Sequence, residues 1–332
     1  MTDLKIKAAG PERPSPDVSI ILTAWNVRPL LKDALLSVAE KTRGVRYEII
    51  VVDDASSDGT GEMMKKEFPD ATLITLGENV GFSRANNLGA GQATGRYLLL
   101  LNTDTILVNN AIGIFVDYLD HHPDTAVCGG TLKFPDMRNH ISYGSFPSFH
   151  QALVDALFLN DIFPGAQLPN RGVYPPESIV EPMEVDYVTG AAILIRKELT
   201  DLYGLFDERY RAYCEETDFC YRMKHEAKKK IMYIPEAHVI HLAGVSYRNV
   251  RRYQTQLMYS SYNKFLTKYH GAIYAFCTRV LYAWHFGIRT LSRGVKYLAA
   301  RPARRDERLA DLKEVWYCMW YSLIPNEEFT GA

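Results

Sequence analysis

An α/β fold with a mostly parallel central sheet is predicted for this chain of 332 residues. Short apolar, β-branched segments alternate four times with segments whose apolar residues recur at helical spacing. The connections between the short segments are too long for hairpins, which favours parallel strands joined by crossover helices. Hydrophobic residues make up 47% of the chain, and this content is typical of a protein with a packed core.

The elements of the first half are the clearest. The predicted strands are 18–23, 47–52, 72–76 and 97–101, and the helices between them are 28–41, 61–68 and 83–93. In the first helix, Leu31, Leu35 and Val38 recur at three- and four-residue steps. The leucine run 98–101 has no polar alternation, so this strand is predicted to be buried on both faces.

The second half is less regular. Residues 111–121 and 215–226 are predicted as helices, 126–134 as a strand, and 185–195 as a strand broken at Gly190. Residues 230–234 are predicted as a short strand that ends before Pro235. The segment 134–184 is rich in proline, glycine and aromatic residues without a clear period, which favours a loop-rich surface that faces a substrate.

The two ends of the chain differ in composition from the middle. Residues 1–17 form a polar extension without a secretory signal, and the five cysteines form no C-x-x-C pair; both features favour a cytoplasmic protein with reduced thiols. Residues 248–305 carry 12 Lys and Arg and no acid, whereas residues 1–247 carry 24 basic and 33 acidic residues. The basic, aromatic-rich region 248–332 is therefore predicted to be a separate, helical unit.

The basic region allows more than one interpretation. Its cations are spaced and its stretch 272–288 is apolar, which disfavours nucleic acid as a partner. An amphipathic helix on the inner face of an anionic plasma membrane fits better. The alternative is an ordinary helical hairpin against the catalytic domain or against a second copy of the chain in a homo-oligomer.

Polar residues follow two of the predicted strands. Asp104 ends the leucine strand with Asn102 two residues before it, and Asp53 and Asp54 end the second strand. Ligands of open α/β sheets bind at the carboxyl ends of strands, and hard divalent cations prefer such oxygen ligands. The sequence therefore predicts a metal-held diphosphate at Asp104 and a nucleotide contact at Asp54, for which helix capping is the alternative role.

A phosphate-binding glycine loop is missing after the first strand, where residues 23–26 read TAWN. Neither G-x-G-x-x-G nor G-x-x-x-x-G-K-[ST] occurs there, which counts against NAD-dependent enzymes and P-loop enzymes. A divalent metal at Asp104 would then neutralise the diphosphate.

Three carboxylates start a predicted helix, at Glu215, Glu216 and Asp218. The helix dipole favours acids in a first turn, so capping explains some of them. An acid beside a second acid and a diphosphate can have a raised pKa, which suits a general base. His241, on the segment after Pro235, is a candidate ligand of the predicted metal.

Several motifs in this order resemble those of the inverting glycosyltransferases of family 2, which have the GT-A fold, and among them the bacterial rhamnosyltransferases. The motifs are VSIILTAWN (18–26), VVDDASSDGT (51–60), NVGFSRANNLG (79–89), LLNTD (100–104), DYVTGAA (186–192), FDE (206–208), EETD (215–218) and HLAGVS (241–246). The resemblance implies a GT-A catalytic domain over 18–247, with a nucleotide-binding half at 18–110 and an acceptor-binding half at 111–247.

The resemblance also implies roles for individual residues. Asp104 and His241 would hold Mg²⁺ or Mn²⁺ on the donor diphosphate, and Glu216 would be the base, with Glu215 and Asp218 as rivals. The donor-nucleotide contacts would be Thr23, Trp25, Asn26, Asp53, Asp54, Arg84, Asn87, Asn102 and Thr103. The acceptor contacts would be Gly190, Ala191, Asp207 and Glu208. Asn102 and Glu216 depart from the family pattern, which has aspartate at both positions.

The implied reaction is inverting transfer of a sugar, with rhamnose as the best match, from a dTDP- or UDP-sugar to a glycan or a polyprenyl-linked acceptor of the bacterial cell surface. Two alternatives remain. A nucleotidyltransferase is also α/β and metal-dependent, but it would need a phosphate loop after the first strand. A non-catalytic relative that binds a nucleotide-sugar would explain the departures at Asn102 and Glu216.

Overall fold

A computed structural model describes residues 15–163, 172–175, 177–242, 251–301 and 304–323, with only the backbone of 251–254. Most of the predicted N-terminal extension, the boundary at residue 248 and the last nine residues lie outside these ranges. The chain divides into two compact units. Unit 1 comprises 1–146, 172–211 and 215–246, and unit 2 comprises 147–171, 212–214 and 247–332. The assignment of domains stays a prediction.

Unit 1 contains the sheet. Its strands are β1 (Val18–Ala24), β2 (Tyr47–Asp53), β3 (Thr72–Thr75), β4 (Tyr97–Leu101), β5 (Thr105–Leu107), β6 (Thr125–Lys133), β7 (Tyr143–Gly144), β8 (Met183–Glu184), β9 (Tyr187–Val188), β10 (Ala192–Arg196) and β11 (Lys230–His241). Its helices are α1 (Arg28–Lys41), α2 (Thr60–Glu67), α3 (Phe82–Ala90), α4 (Ala111–His121), α7 (Lys197–Tyr203) and α8 (Glu215–His225).

Unit 2 contains helices alone within the described residues. They are α5 (Phe149–Ala156), α6 (Leu159–Ile162), α9 (Arg251–His270), α10 (Ala272–Leu298) and α11 (Arg305–Leu323). Helix α10 packs on α5, α9 and α11. No helix in the described ranges is both long enough and apolar enough to span a bilayer.

The sheet is parallel in its first half and mixed in its second. Its order is β3-β2-β1-β4-β10-β6-β11-β5, with β8 beside β11, and β7 and β9 pair separately. The four strands predicted as parallel are parallel. Strand β10 lies antiparallel between β4 and β6, because the chain returns to the sheet after the irregular segment.

The core occupies both faces of the sheet. Leu99 and Leu101 belong to one apolar cluster, whereas Leu98 and Leu100 belong to the other. All four side chains are at most 3% exposed, so the predicted burial of this strand on both faces is confirmed. The carboxyl ends of β1, β2 and β4 therefore meet at one edge of a rigid sheet.

The predicted stop of the last strand before Pro235 is wrong. Strand β11 continues to His241, and its register against β6 shifts between Ile234 and His238. The proline lies in this irregularity, where a missing N–H costs the ladder no hydrogen bond. The continuation pairs β11 with β5, where His241 faces Thr105.

Candidate active site

Asp104 and His241 lie side by side where β5 and β11 meet. A carboxylate oxygen of Asp104, Oδ1, is 3.4 Å from Nε2 of His241, and both side chains are largely buried. The backbone carbonyl of Asp104 accepts a hydrogen bond of 2.9 Å from the Leu242 amide. The structure thus brings together the two residues predicted as metal ligands.

The buried Nδ1 of His241 has no hydrogen-bond partner within the described residues. Within those ranges no group of three or more His, Cys, Asp and Glu side chains is arranged to hold a metal. Mg²⁺ and related ions are often held by one or two protein ligands, with substrate phosphates and water completing the shell. A pair such as Asp104 and His241 fits that mode of binding.

His140, which the sequence analysis did not select, lies beside this pair. Its ring is 5.3 Å from the His241 ring, edge to face, and 4.3 Å from the Phe134 ring. Burial lowers the pKa of His140, which favours its neutral form. The residue comes from the aperiodic segment 134–184, where no spacing pattern could have indicated it.

Asn102 and Thr103 connect the leucine strand to Asp104. The Asn102 amide donates a hydrogen bond of 2.9 Å to the Ala191 carbonyl, and the Asn102 carbonyl accepts one of 2.6 Å from the Thr105 hydroxyl. Thr103 is buried. The turn that carries Asp104 is therefore fixed by its own backbone and by Ala191.

Glu216 lies next to Gly190, the residue that precedes Ala191. A methyl group placed on Gly190 would lie 3.5 Å from Cγ of Glu216, in van der Waals contact. Gly190 and Ala191 thus contact both Glu216 and the turn of Asn102. The predicted acceptor residues Gly190 and Ala191 are the link between β4 and the start of α8.

Glu215 and Glu216 form an acidic pair in which burial dominates. Burial raises the pKa of Glu216 to about 7. Burial, and then the charge of Glu216, raise the pKa of Glu215 well above its ordinary value. The Oε2 atom of Glu215 has no hydrogen-bond partner in the described ranges. A carboxyl group that titrates near neutral pH is suited to act as a general base.

Asp218 has a different environment, and its role as a rival base stays a prediction. It is fully buried, and it accepts hydrogen bonds of 3.0 Å from Arg222 and 3.2 Å from the Tyr210 hydroxyl. Arg222 in turn donates to the carbonyls of Tyr203, Gly204 and Leu205. Asp218 therefore anchors α8 to the preceding loop.

A strained turn leads into α8. Tyr213 and Cys214 both have left-handed backbone angles, with φ of 66° and 67°. Such angles cost a residue with a side chain of the order of 1–3 kcal/mol, and they cluster at functional sites. The turn places Glu215 and Glu216 at the first positions of α8, where the backbone amides favour negative charge.

Asp53 and Asp54 bind backbone amides of neighbouring loops. The two carboxylate oxygens of Asp54 accept from the Val80 and Gly81 amides at 2.7 and 3.1 Å, and Asp53 accepts from the Ser56 amide at 3.0 Å. Gly81 has a φ of +87°, and Arg211 packs where a Cβ would lie. Asp54 thus shapes the loop before α3, while its nucleotide contact stays a prediction.

The loop after β1 carries the remaining residues predicted at the nucleotide. Trp25 is 49% exposed, and Thr23 is half-buried. Asn26 has a φ of 54°, and its side chain accepts a hydrogen bond of 2.8 Å from the Ser57 amide. Asn26 therefore ties the loops after β1 and β2 together, and the indole of Trp25 is left open to solvent at the same edge.

Arg84, Asn87, Asp207 and Glu208 form a second polar group. The Asn87 side chain donates to the Phe206 carbonyl and accepts from the Phe206 amide, at 2.9 and 3.0 Å. Glu208 contacts Asn87 at 3.1 Å and Arg84 at 3.9 Å, whereas Asp207 binds Arg209. These residues join α3 to the loop before α8, and their predicted contacts with donor and acceptor stay predictions.

Comparisons with known proteins place the chain in a family. The profile of "Glycosyl transferase family 2" matches residues 19–201. N-acetylglucosaminyl-diphospho-decaprenol L-rhamnosyltransferase of Mycobacterium tuberculosis is 26% identical over 235 residues, which cover 67% of this chain and 75% of the relative.

Two solved structures resemble the fold. A mannosyltransferase from Pyrobaculum calidifontis in complex with GDP-Man and Mn²⁺ has a TM-score of 0.56 at 16% identity, over 96% of this chain and 88% of that one. TarS of S. aureus in complex with UDP has a TM-score of 0.50 at 17% identity, over 90% and 80% of the two chains. The prediction of a GT-A fold with a helical C-terminal region is confirmed.

Proposed function

The chain belongs to glycosyl transferase family 2 and is a glycosyltransferase, and we propose that it transfers rhamnose from a nucleoside diphosphate to a hydroxyl group of a lipid-linked glycan. The printed activity of the mycobacterial relative, a rhamnosyltransferase with a diphospho-decaprenol acceptor, supports this choice of sugar and acceptor. Synthesis of a bacterial surface polysaccharide is the corresponding process.

One observation carries the proposal: residues 190–191 connect the predicted diphosphate site to the predicted base. The Ala191 carbonyl binds the Asn102 amide at 2.9 Å, and Gly190 lies against Glu216. Inverting transfer needs a base on the acceptor side of the sugar and a stabilised diphosphate on the other side. Gly190 and Ala191 therefore link the segment that carries Asp104 to Glu216 through one backbone hydrogen bond and one van der Waals contact.

Asp104 and His241 are the residues that would hold Mg²⁺ or Mn²⁺. The Asp104 carboxylate beside Nε2 of His241 supports a bound cation between these two side chains. When bound, such an ion neutralises charge on the departing diphosphate. The use of Mn²⁺ by the Pyrobaculum structure is consistent with this assignment.

At the nucleotide, the exposed indole of Trp25 offers a flat apolar surface on which a base can stack. Asp53, Asp54 and Asn26 contribute by fixing the loops around it, since their side chains bind backbone amides. The polar edge of the base and the ribose would form hydrogen bonds with Thr23 and with backbone amides of the loops after β1 and β2.

At the acceptor, Glu216 takes the hydroxyl proton as the oxygen bonds to the anomeric carbon. The bond from that carbon to the diphosphate breaks, and its electron pair leaves with the nucleoside diphosphate. A base with a pKa of about 7 is half ionised at neutral pH, so it is available without a further activating group. Beside it, burial and the charge of Glu216 raise the pKa of Glu215, which favours the protonated form of Glu215.

The test is calorimetric binding of dTDP, UDP, GDP and NAD with Mg²⁺, with Mn²⁺ and without metal, followed by turnover of dTDP-rhamnose. We expect one nucleoside diphosphate to bind only with metal. Asp104→Asn should weaken that binding by about 10- to 100-fold, since it removes a charged ligand. Asp117→Asn, at an exposed position on α4, is the matched control and should bind like the wild type.

The alternatives give different results. Release of pyrophosphate from a nucleoside triphosphate would identify a nucleotidyltransferase. Tight, metal-dependent binding of a nucleotide-sugar without turnover on any glycan or polyprenyl-linked acceptor would identify a non-catalytic relative. Metal-independent binding that Asp104→Asn leaves unchanged would contradict the assigned donor site.

A further inference from the structure

Helix α10 exposes a continuous apolar face, which we call the α10 face. Its large residues lie three, four or seven positions apart, which places them on one side of the helix. Each is between 46% and 83% exposed: Ile273, Phe276, Val280, Trp284, Leu291, Val295 and Leu298. No charged residue interrupts this series on the same side of the helix.

The other side of α10 forms the core of unit 2. Ala275, Thr278, Tyr282 and His285 are buried there. That side packs against α5, α9 and α11, and the His285 ring bonds to the Asp155 carbonyl of α5. The residues of the α10 face therefore take no part in the packing of α10 on the described helices of unit 2.

The size of the α10 face is unusual for a surface in water. From Ile273 to Leu298 a helix extends for about 38 Å at 1.5 Å per residue. Monomeric proteins rarely expose apolar patches of more than a few hundred Å², and larger patches mark protein or membrane contacts. A partner must therefore be considered for the α10 face.

The exposed tryptophans of unit 2 favour a lipid interface. Three of the four tryptophans in the chain are in this unit, and Trp284, Trp316 and Trp320 are between 42% and 61% exposed. The rings of Trp316 and Trp320 stack at 5.9 Å. Tryptophan is enriched at the boundary between water and hydrocarbon, because its ring is apolar and its N–H is polar.

The segment of the chain that contains the α10 face carries charge of one sign. Residues 251–301 carry nine Lys and Arg and no acid. Lys296, near the end of α10, is exposed, and so are Arg301, Arg304 and Arg305, which follow Leu298 along the chain. Such cations attract the headgroups of anionic lipids, into which neighbouring apolar side chains insert.

A second copy of the chain fits this pattern less well. Helices that pair through an apolar seam usually have charges of both signs beside it, and like charges there oppose pairing. Helix α10 itself has no acid, so acidic partners for its cations in a pair of copies would have to come from α11, which carries Asp306, Glu307, Asp311 and Glu314.

We propose that the α10 face docks on an anionic lipid bilayer, with α10 lying in the headgroup region parallel to the membrane plane. This inference does not depend on the sugar or the acceptor, because it rests on unit 2 alone. It would bring the enzyme to the surface where a lipid-linked acceptor is found.

The test is flotation of the full-length chain with vesicles of phosphatidylcholine alone and of phosphatidylcholine with phosphatidylglycerol at 3:1. We expect binding to the anionic vesicles, weak binding to the neutral ones, and partial release at high salt. Absence of binding to the anionic vesicles would overturn the proposal.

A pair of matched variants locates the contact. The double variant Leu291→Ser/Leu298→Ser removes two side chains that are 73% and 78% exposed, and it should weaken vesicle binding about 10-fold or more. Val180→Ser/Leu202→Ser removes two side chains in unit 1 that are 66% and 76% exposed, and it should leave binding unchanged. Equal binding of the two variants would contradict the proposal.

Light scattering separates the lipid surface from the second copy. If the wild type is a dimer that binds no vesicles, and Leu291→Ser/Leu298→Ser is a monomer, the α10 face is an interface between copies and the proposal is wrong. A wild type whose oligomeric state is unaffected by this variant, and which loses vesicle binding with it, supports the lipid surface.

Discussion

The first two acids of α8, Glu215 and Glu216, and the two acids at the end of β2 are alike in sequence and differ in environment. Asp53 and Asp54 accept hydrogen bonds from backbone amides, and Asp218, the third acid of α8, is paired with Arg222. Glu215 is buried and Glu216 is half-buried, both have raised pKa values, and Oε2 of Glu215 has no hydrogen-bond partner in the described ranges. Carboxylates paired with a cation or with loop amides stabilise this fold, and carboxyl groups with strongly raised pKa values are the candidates for chemistry.

Glu216→Gln is the variant that should have the largest effect on the reaction. The amide cannot accept the proton of the acceptor, so kcat should fall by about 10²- to 10⁴-fold. Binding of the nucleoside diphosphate with metal should stay unchanged, because its predicted ligands are Asp104 and His241. Steady-state turnover and calorimetry on the same protein measure the two quantities.

Glu226→Gln provides the control for that variant, since Glu226 is exposed just after α8. It should keep the activity and the affinity of the wild type. Turnover of Glu216→Gln within a few-fold of the wild type would remove Glu216 from the mechanism and make Glu215 the next candidate.

Asp218→Asn, on the same helix, should lower the free energy of unfolding and have little effect on the rate of the reaction. Removal of one partner of a buried ion pair costs about 3–5 kcal/mol, and we expect the lower end because Arg222 keeps three carbonyl partners. Urea unfolding at constant pH measures this loss, and activity per folded molecule should stay within a few-fold. A variant as stable as the wild type and fully inactive would make Asp218 the base after all.

The sequence predicts the donor half well because local patterns decide it. The predicted bounds of α1, α4 and β4 are those of the structure, where apolar periodicity and burial coincide. Asp104 and His241 were both selected, although the contact between them depends on β11 continuing past Pro235. A proline in a strand predicts an end, and only the tertiary register shows that it lies in an irregularity.

The acceptor half is less predictable because its contacts join distant segments. His140 reaches the His241 ring from a segment without periodicity, and the left-handed angles of Tyr213 and Cys214 occur at residues that do not favour them. The sequence cannot separate Asp218 from Glu216 either. Both are acids in the first turn of one helix, and they differ in their neighbours in the fold. Asp218 is bonded to Tyr210 and Arg222, whereas Glu216 lies against Gly190.

The pH profile should show the smallest effect, and it reports the environment of Glu216 directly. Because burial raises the pKa of Glu216 to about 7, kcat/KM should rise with pH through a limb near neutrality. At pH 6 about one tenth of the base is ionised, so the rate should be roughly 10-fold below its alkaline plateau.

Stability should change in the opposite direction over the same range. A carboxyl group with a raised pKa in the folded state retains a proton that the unfolded chain has already released near its ordinary pKa. The stabilisation from protonated Glu216 is therefore complete at acid pH and is lost as the pH rises through about 7. Unfolding midpoints measured between pH 5 and 8 should fall more steeply for the wild type than for Glu216→Gln, in which this proton is absent. The proposed environment of Glu216 would be wrong if the unfolding midpoints of the two proteins changed in parallel with pH and if kcat/KM of the wild type rose near pH 4.5. Glu216 would then have the ordinary pKa of a carboxyl group in water, and a raised pKa could not be used to prefer it to Asp218 as the base.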